Sequence, residues 1–228
     1  MIAATDPACA HDELDRVGYV VLEGIKPDKL PALLERFGSN LPYEGEWKYD
    51  VRVSAEVATM YTARSFGALH PHLDKYEWAA PPDLVALYGR QADSGGLGRT
   101  HLCNMTPFLD GLDDRDRHRL SDVPMTFLAD EGLRAVGIDH QHTAPSLDLS
   151  DPAEPIFRYS YFYGDFPPDD PGFPALWDRV REWFDEHKQS ILLTEDTLLI
   201  WRNKVILHGR ESFTDADRHL WRVYLRDA

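Results

Sequence analysis

The sequence predicts a single α+β domain in which short β-strands form the core and helices lie on its flanks. Its 228 residues, 43% of them hydrophobic and 28% charged, suit one compact core, because single cores commonly reach about 250 residues. From residue 51 to about 102, short apolar runs alternate with turns such as 80–82 and 94–96, which is typical of β-structure. The sequence shows no internal repeat or linker, so one domain over residues 1–228 is expected.

The amino-terminal elements are predicted from their apolar spacing and their breakers. A helix over 11–17 stops at Gly18, and the apolar run 19–22 after it indicates a short buried strand. A second helix, with apolar residues at helical spacing from 30 to 37, stops at Gly38. These elements are expected to cover one flank of a larger sheet.

The remaining elements alternate between charged, aromatic and apolar segments, and the loops among them are expected to border a pocket. In order, they are a helix over 108–121, a Pro/Asp loop over 148–155, an aromatic strand over 156–163, a second such loop over 166–174, a helix over 175–189 and strands near 197–201 and 218–225.

The charge of the chain argues against two classes of partner. Thirty-nine acidic residues against 24 basic ones leave a net charge of −15, which repels nucleic-acid phosphates and anionic membranes. The first residues lack the basic and apolar stretches of a signal peptide, and no run of about 18 apolar residues occurs. Two cysteines are too few for a disulfide framework. A cytoplasmic protein that binds neither nucleic acid nor membranes is expected, while its oligomeric state stays open.

The segment His70-Pro-His72-Leu-Asp74 is the most informative one for chemistry. In a strand, side chains two apart share a face, so His72 and Asp74 can reach one metal ion together. The candidate third ligand is His208, which follows an apolar run and precedes a glycine. Two histidines and one aspartate would form the facial triad of non-haem Fe(II) oxygenases. An isolated H-x-D is also compatible with ordinary surface or core histidines.

The last strand carries two arginines that share one face. By strand alternation Arg218, Leu220, Arg222 and Tyr224 point to the same side. A solvated edge strand would explain a generic pair of this kind. Because this strand is otherwise apolar, both arginines are expected to point into a pocket that holds anions, since guanidinium binds carboxylates through a bidentate fork.

These motifs, in this order and spacing, resemble the Fe(II)/2-oxoglutarate-dependent dioxygenases, and most of all the taurine dioxygenase and clavaminate synthase-like branch. The resemblance covers roughly residues 15–228 and is carried by His72-x-Asp74, by Pro81 to Tyr88, by Gly95-Gly96 with Thr100, by Leu207-His-Gly-Arg210 and by Arg218-His-Leu-Trp-Arg222. It implies a double-stranded β-helix, the jelly-roll of cupin-like proteins, with His72, Asp74 and His208 as iron ligands.

The resemblance also implies roles for three further residues. Arg218 would bind the C5 carboxylate of the cosubstrate 2-oxoglutarate, with a hydrogen bond from Thr100, and Arg222 would contact an acidic group of the prime substrate. The interval from His208 to Arg218 is shorter than expected for this branch. The opposite assignment therefore stays open, in which Arg222 binds 2-oxoglutarate and Arg218 contacts the prime substrate.

The implied reaction is hydroxylation of an unactivated C–H bond with O2, accompanied by release of succinate and CO2. Asp74 disfavours a halogenase, which carries a small residue at that position, whereas desaturation and cyclisation stay open. The short chain favours a small molecule, and Arg222 suggests a free amino acid or related carboxylate. A zinc hydrolase and a non-catalytic jelly-roll binding protein are the alternatives from other classes.

Other candidate residues are open to simpler interpretations. His70 could replace His72 as a ligand but is expected to form a pocket wall, and His140 with His142 is expected to belong to a loop or strand surface. Asn203 resembles a polar residue that supports the metal site from the strand before the distal histidine. The aromatic row from Phe157 to Tyr163 is expected to pack in the core, with Arg158 and Ser160 on its other face.

Overall fold

The computed structural model describes residues 6–58, 60, 62–162, 164–166 and 170–227. The helices are α1 (Ala10–Val17), α2 (Leu30–Leu34), α3 (Thr106–Asp110), α4 (Asp114–Asp122), α5 (Glu131–Ala135) and α6 (Gly172–His187). The strands are β1 (Tyr19–Leu22), β2 (Ser39–Asn40), β3 (Tyr49–Arg52), β4 (Leu69–His72), β5 (Leu84–Gln91), β6 (Thr100–Asn104), β7 (Pro124–Leu128), β8 (Gln141–Pro145), β9 (Leu147–Asp148), β10 (Ile156–Phe157), β11 (Gly164–Asp165), β12 (Gln189–Ile191), β13 (Leu198–Arg202), β14 (Ile206–Arg210) and β15 (His219–Arg226).

Two antiparallel sheets form the centre of the fold. The larger sheet has the order β1-β13-β5-β15-β2, with β3 also paired to β15, and the smaller one has the order β12-β6-β14-β4. One hydrophobic cluster joins them, because it contains Val85 and Leu87 of β5 together with Leu102 of β6 and Ile206 of β14. The two sheets therefore pack face to face, and the residues that point between them define the interior.

The larger sheet is buried on both faces. Along β5, Val85 and Leu87 face the smaller sheet, while Leu84, Ala86 and Tyr88 pack in a second cluster with residues of α1 and α2. Because each face meets a partner, β5 is a nearly continuous apolar run without polar alternation. The flank predicted for the amino-terminal helices is the outer face of this sheet.

A third cluster lies beneath α6 and supports the segment behind β4. The ring of Trp177 stacks on Tyr159 with 4.3 Å between centroids, and the Tyr159 hydroxyl donates to the Trp177 carbonyl oxygen at 3.0 Å. The carbonyl of Tyr159 in turn accepts from the backbone N–H of Leu73 at 2.9 Å. Packing of α6 therefore positions the chain next to His72 and Asp74.

Two predicted elements differ from the structure. The charged helix expected over 108–121 is divided into α3 and α4, because the chain turns at Gly111. The strand expected over 156–163 is wrong, since among its described residues only Ile156–Phe157 pairs with β9 and Ser160 forms an isolated bridge to His72. The remaining predicted helices and strands occur with shifted ends, and the expected mixture of helices and sheets is confirmed.

Candidate metal centre

Two antiparallel strands place the predicted histidines side by side. His208 of β14 lies opposite His72 of β4, with 4.1 Å between ring centroids. The pairing shifts register between His208 and Arg210. At this shift a Cβ on Gly209 would lie 2.8 Å from the backbone oxygen of Leu69, so the close approach of the strands requires glycine.

Asp74 is fixed through its backbone by a buried amide. Its N–H donates to Oδ1 of Asn203 at 3.0 Å, and Nδ2 of Asn203 donates to the carbonyl oxygens of Asp74 at 2.9 Å and Pro82 at 3.0 Å. Asn203 is fully buried in the turn between β13 and β14. The turn that leads to His208 therefore also positions Asp74, as expected for a residue that supports the site.

His72, Asp74 and His208 each direct one candidate ligand atom to a common point, and these atoms lie within 4.8 Å of one another. Oδ2 of Asp74 and both ring nitrogens of His208 are buried and make no hydrogen bond within the described chain. Nδ1 of His72 lies 2.8 Å from the carbonyl oxygen of His70, which accepts its proton and leaves Nε2 with a free lone pair. Buried donor atoms without protein partners fit a metal ion.

The protonation of both histidines also suits a metal. Burial lowers the pKa of His72 despite the opposing charge of Asp74. Burial, reinforced by His72 and Arg222, lowers the pKa of His208 well below 6.5. Both imidazoles are therefore neutral at neutral pH, which is the form that binds metals. Two imidazoles and one carboxylate are the donor set of non-haem Fe(II) sites with open positions.

Arg222 forms a hydrogen bond to Oδ1 of Asp74, the carboxylate oxygen other than the candidate ligand Oδ2. Nη1 of Arg222 donates to Oδ1 at 2.8 Å, and both side chains are buried. Burial by itself lowers the pKa of this guanidinium, but Asp74, Tyr49 and Tyr224 together outweigh that effect and raise the pKa above its ordinary value. Arg222 therefore orients the carboxylate and leaves only Oδ2 available for a metal.

Arg218 is a buried cation that forms no ion pair with the described residues. It donates to the carbonyl oxygen of Gly98 at 3.0 Å and stacks over the ring of Phe213 at 4.7 Å. Burial lowers the pKa of Arg218 to about 10, so the group stays charged at neutral pH. A narrow cleft of about 10 Å³ is lined by Arg218, His208 and Thr100. A desolvated guanidinium in such a cleft is suited to a carboxylate ligand.

A larger cavity of about 420 Å³ opens beside the three candidate ligands. His72, Asp74, Arg222 and Ser160 line it, and its volume lies in the range of small-molecule sites. Six acidic and three basic residues are among its described lining residues. This mixture of charges suits a small polar molecule.

The sequence matches the model of the taurine catabolism dioxygenase TauD, TfdA family over residues 5–224. The chain belongs to this family of dioxygenases. The expectation, from the sequence, of a dioxygenase that uses Fe(II), 2-oxoglutarate and O2 is confirmed at the level of the family. Among curated proteins, none matches the sequence.

Solved structures share the fold of this dioxygenase at low sequence identity. Asparagine oxygenase in complex with Fe(II), 2S,3S-3-hydroxyasparagine and succinate is 20% identical, with a TM-score of 0.79 over 97% of this chain and 78% of that chain. A mutant of the non-heme iron oxygenase OrfP in complex with (3S)-hydroxy-L-Arg is 17% identical, with a TM-score of 0.76 over 96% and 78%. OrfP with Fe and alpha-ketoglutaric acid is 17% identical, with a TM-score of 0.73 over 97% and 78%. Among the helices that the structure describes, none has the length and apolar character to cross a membrane.

Sequence reasoning missed two features of the dioxygenase site. Lys75 and Glu77 are buried in the wall of the cavity. In the sequence they follow directly after the metal motif and resemble an ordinary charged loop. Arg210 donates to three carbonyl oxygens, at 2.8 Å to Ala63, 2.8 Å to Ser65 and 2.5 Å to Gly67. It thereby fastens the loop that borders the cavity, and the only sequence signal for this was an arginine inside an apolar strand.

Other histidines of the dioxygenase lie outside the candidate centre. The ring of His70 stacks on Tyr161 with 5.1 Å between centroids, and it is not part of the ligand cluster. His142 lies on β8, opposite Phe127 of β7, and belongs to no three-residue ligand cluster within the described chain. The expected surface-strand position of His142 is thus observed.

The aromatic segment contributes to both core and cavity. Phe157 and Tyr159 are fully buried in the core, as expected, and Ser160 lines the cavity. Arg158 points elsewhere, since its Nη1 donates to Asp148 at 3.2 Å. Tyr163, at the end of the predicted row, lies outside the described residues.

Proposed function

We propose that the protein is an Fe(II)- and 2-oxoglutarate-dependent hydroxylase of a small molecule, in which His72, Asp74 and His208 hold the iron. The observation that carries this proposal is the cluster of His72, Asp74 and His208, in which Oδ2 of Asp74 and both ring nitrogens of His208 are buried and have no partner within the described chain. When bound, Fe(II) with 2-oxoglutarate and O2 supplies the oxidant that hydroxylates a C–H bond while 2-oxoglutarate is converted to succinate and CO2. The fold that holds this site is proposed to be a jelly-roll whose two halves are the facing sheets, within one domain.

Arg218 and Thr100 are proposed to bind the distal carboxylate of 2-oxoglutarate. Arg218 is the better candidate of the two arginines because Arg222 is already paired with Asp74, whereas Arg218 has no counter-ion among the described residues. The cleft between Arg218 and Thr100 has room for little more than one water molecule. Side chains around it must therefore move when the five-carbon acid enters.

The substrate is proposed to be a free amino acid or a related carboxylate. The cavity is large enough for such a molecule, and its lining combines acidic and basic groups. Asparagine oxygenase and OrfP, which share the fold, are crystallised with hydroxylated amino acids. Arg222 lines this cavity as well as the narrow cleft, so it is placed to contact the substrate or the cosubstrate.

Hydroxylation is favoured over the alternatives by the groups that surround the triad. A zinc hydrolase has no need of a buried, unpaired guanidinium beside the metal, whereas a cosubstrate with a free carboxylate does. A purely structural jelly-roll would not be expected to leave Oδ2 of Asp74 and both ring nitrogens of His208 buried without partners. Desaturation and cyclisation begin with the same oxidant and are separated from hydroxylation only by the product.

The test uses purified protein reconstituted with Fe(II) under anaerobic conditions. Addition of 2-oxoglutarate should produce a visible metal-to-ligand charge-transfer band, and amino acids should then be screened in air for succinate release and a mass gain of one oxygen. His208→Ala should abolish both the band and succinate formation. Unchanged turnover by that variant, or a wild-type protein that forms no band, would contradict the proposed site.

A further inference from the structure

Lys75 occupies an unusual position directly after Asp74. Its backbone has φ = 59°, in the left-handed region that residues other than glycine, asparagine and aspartate rarely adopt. Its side chain is only 9% exposed and lines the cavity beside the candidate ligands. A strained backbone and a buried lysine each carry a free-energy cost, and such costs are commonly retained at functional positions.

The ammonium group of Lys75 lies among aromatic rings. Nζ is 4.0 Å from the ring centroid of Tyr43, 5.2 Å from that of Trp78 and 5.9 Å from that of Tyr224. These rings restrict where the ammonium can lie and stabilise its charge. They accept no conventional hydrogen bond, so the three N–H groups of Lys75 keep their donor capacity.

The nearest carboxylate does not use that capacity. Oε1 of Glu77 is 3.8 Å from Nζ of Lys75, which is an ion-pair distance beyond hydrogen-bonding range. Oε1 is buried and has no hydrogen-bond partner within the described chain, and no hydrogen bond is formed by Lys75 Nζ to the described residues. Glu77 thus balances the charge of Lys75 and leaves its donors available.

The other cations of the cavity are less suited to bind an anion there. Arg222 donates to Asp74, and Arg64 is exposed to solvent. Arg218 lines the narrow cleft and is absent from the described lining of the larger cavity. Nε of Arg222 also has no partner within the described chain, but the charge of Arg222 is balanced by Asp74 at hydrogen-bonding distance. Lys75 is therefore the buried cation of the cavity that forms no hydrogen bond to the described residues.

We infer that Lys75 binds the carboxylate of the prime substrate and that Glu77 is the positioning residue that keeps its ammonium directed into the cavity. This inference rests on the proposed hydroxylase function and names the recognition group within the same site. It specifies a small carboxylic acid, of which a free amino acid is the leading example. It also transfers to Lys75 the role of carboxylate recognition that the sequence suggests for Arg222.

The test compares the binding of matched ligands to the anaerobic Fe(II)·2-oxoglutarate protein by calorimetry. The probes are free L-amino acids, their carboxamides and the corresponding decarboxylated amines. Wild type should bind at least one acid, and bind it about 10- to 100-fold more tightly than its carboxamide and amine, as expected for loss of a charge-assisted hydrogen bond. Lys75→Met should lose this discrimination, Lys75→Gln should retain little of it and Lys75→Arg should retain part.

Lys48→Met is the matched control, because it removes another lysine that contacts aromatic rings, 4.2 Å from Trp221, outside the described cavity lining. It should behave as wild type. Lys75→Met should also keep the wild-type affinity for 2-oxoglutarate, which a general disruption of the site would reduce. If Lys75→Met does not fold, the Gln and Arg variants carry the comparison.

Retention of acid-over-carboxamide discrimination in Lys75→Met or Lys75→Gln would overturn the inference, as would a wild type that binds no acid in the panel. These results are distinct from failure of the proposed function. A wild type that shows no charge-transfer band with 2-oxoglutarate but loses acid binding on replacement of Lys75 would contradict the oxygenase and retain the carboxylate site.

Discussion

Arg222 holds one oxygen of Asp74 at 2.8 Å and leaves the other oxygen without a protein partner. Both side chains are buried, so water does not compete strongly for either group. The free oxygen, Oδ2, lies 3.8 Å from Nε2 of His208. A carboxylate fixed in this way offers one defined oxygen to a metal, and groups that orient ligands commonly contribute to metal affinity.

Replacement of Arg222 by methionine is expected to weaken Fe(II) binding by about 10- to 100-fold, because the carboxylate of Asp74 loses the group that orients it. Anaerobic titration with Fe(II) in competition with a chelator measures this. Arg222→Lys keeps the positive charge without the planar guanidinium, so its Fe(II) affinity should lie between those of wild type and Arg222→Met. Arg218→Met is the control and should bind Fe(II) as wild type does. Equal affinity in Arg222→Met and wild type would show that Asp74 does not depend on Arg222.

Replacement of Arg218 by methionine is expected to raise the Kd for 2-oxoglutarate by about 100-fold, since a buried charge-assisted hydrogen bond contributes about 1.5–3 kcal/mol and the fork can form two. Thr100→Val should raise it less, by about 3- to 10-fold, for one neutral hydrogen bond. The absorbance of the anaerobic Fe(II) complex reports both. If Arg222→Met weakens 2-oxoglutarate binding while Arg218→Met does not, the two arginines have exchanged roles.

Replacement of Asn203 by alanine is expected to destabilise the protein by about 2–4 kcal/mol, because it leaves three buried backbone groups without partners. Urea denaturation measures the change in the free energy of unfolding. Fe(II) affinity should fall as well, since the amide positions Asp74. Asn203→Asp is an informative control, because it keeps the acceptor for the Asp74 N–H and loses the two donors. A variant with wild-type stability would argue against this role.

Much of the candidate site could be predicted because its signals are local. The H-x-D spacing places His72 and Asp74 together whatever the rest of the chain does, and Arg218 and Arg222, predicted to share a face, both line the narrow cleft beside His208. His208 is proposed because it follows an apolar run and precedes a glycine, and which strand it lies beside is not predicted; in the structure β14 pairs with β4.

Features that depend on distant packing could not be predicted. The surroundings of Lys75 combine Tyr43 and Tyr224, which are far from it in sequence, so no local pattern distinguishes it from a solvated lysine. The prediction of a strand over the aromatic segment 156–163 was wrong for a related reason. Its period-two spacing is that of a strand, but Tyr159 is buried against α6 and its backbone carbonyl bonds to Leu73, so regular pairing ends at Phe157. Tertiary contacts override the local pattern at both positions.

An ion network beside α6, with Asp116 and Arg119 buried at its centre, determines a pH dependence of stability. Arg119 donates to Asp116 at 2.7 Å and, through two nitrogens, to Asp170 at 2.7 and 2.9 Å, and Arg179 also pairs with Asp116. Burial raises the pKa of Asp116, but the hydrogen bonds from both arginines outweigh it and lower the pKa below its ordinary value of 3.8. The folded state therefore binds this proton more weakly than the unfolded state does.

Asp116→Asn is accordingly expected to lower the Tm by several degrees at pH 7, where the carboxylate is charged in both states and its ion pairs stabilise the fold. The contribution of Asp116 is fully present above the unfolded pKa near 4 and is lost as the pH falls through the lower pKa of the folded state. The difference in Tm between wild type and variant should therefore shrink below about pH 4. Thermal unfolding followed by circular dichroism from pH 3 to pH 7 measures it, with Asp185→Asn, on the exposed face of α6, as the control. A Tm difference between wild type and Asp116→Asn that stays constant down to pH 3 would show that the carboxylate charge of Asp116 does not stabilise the fold.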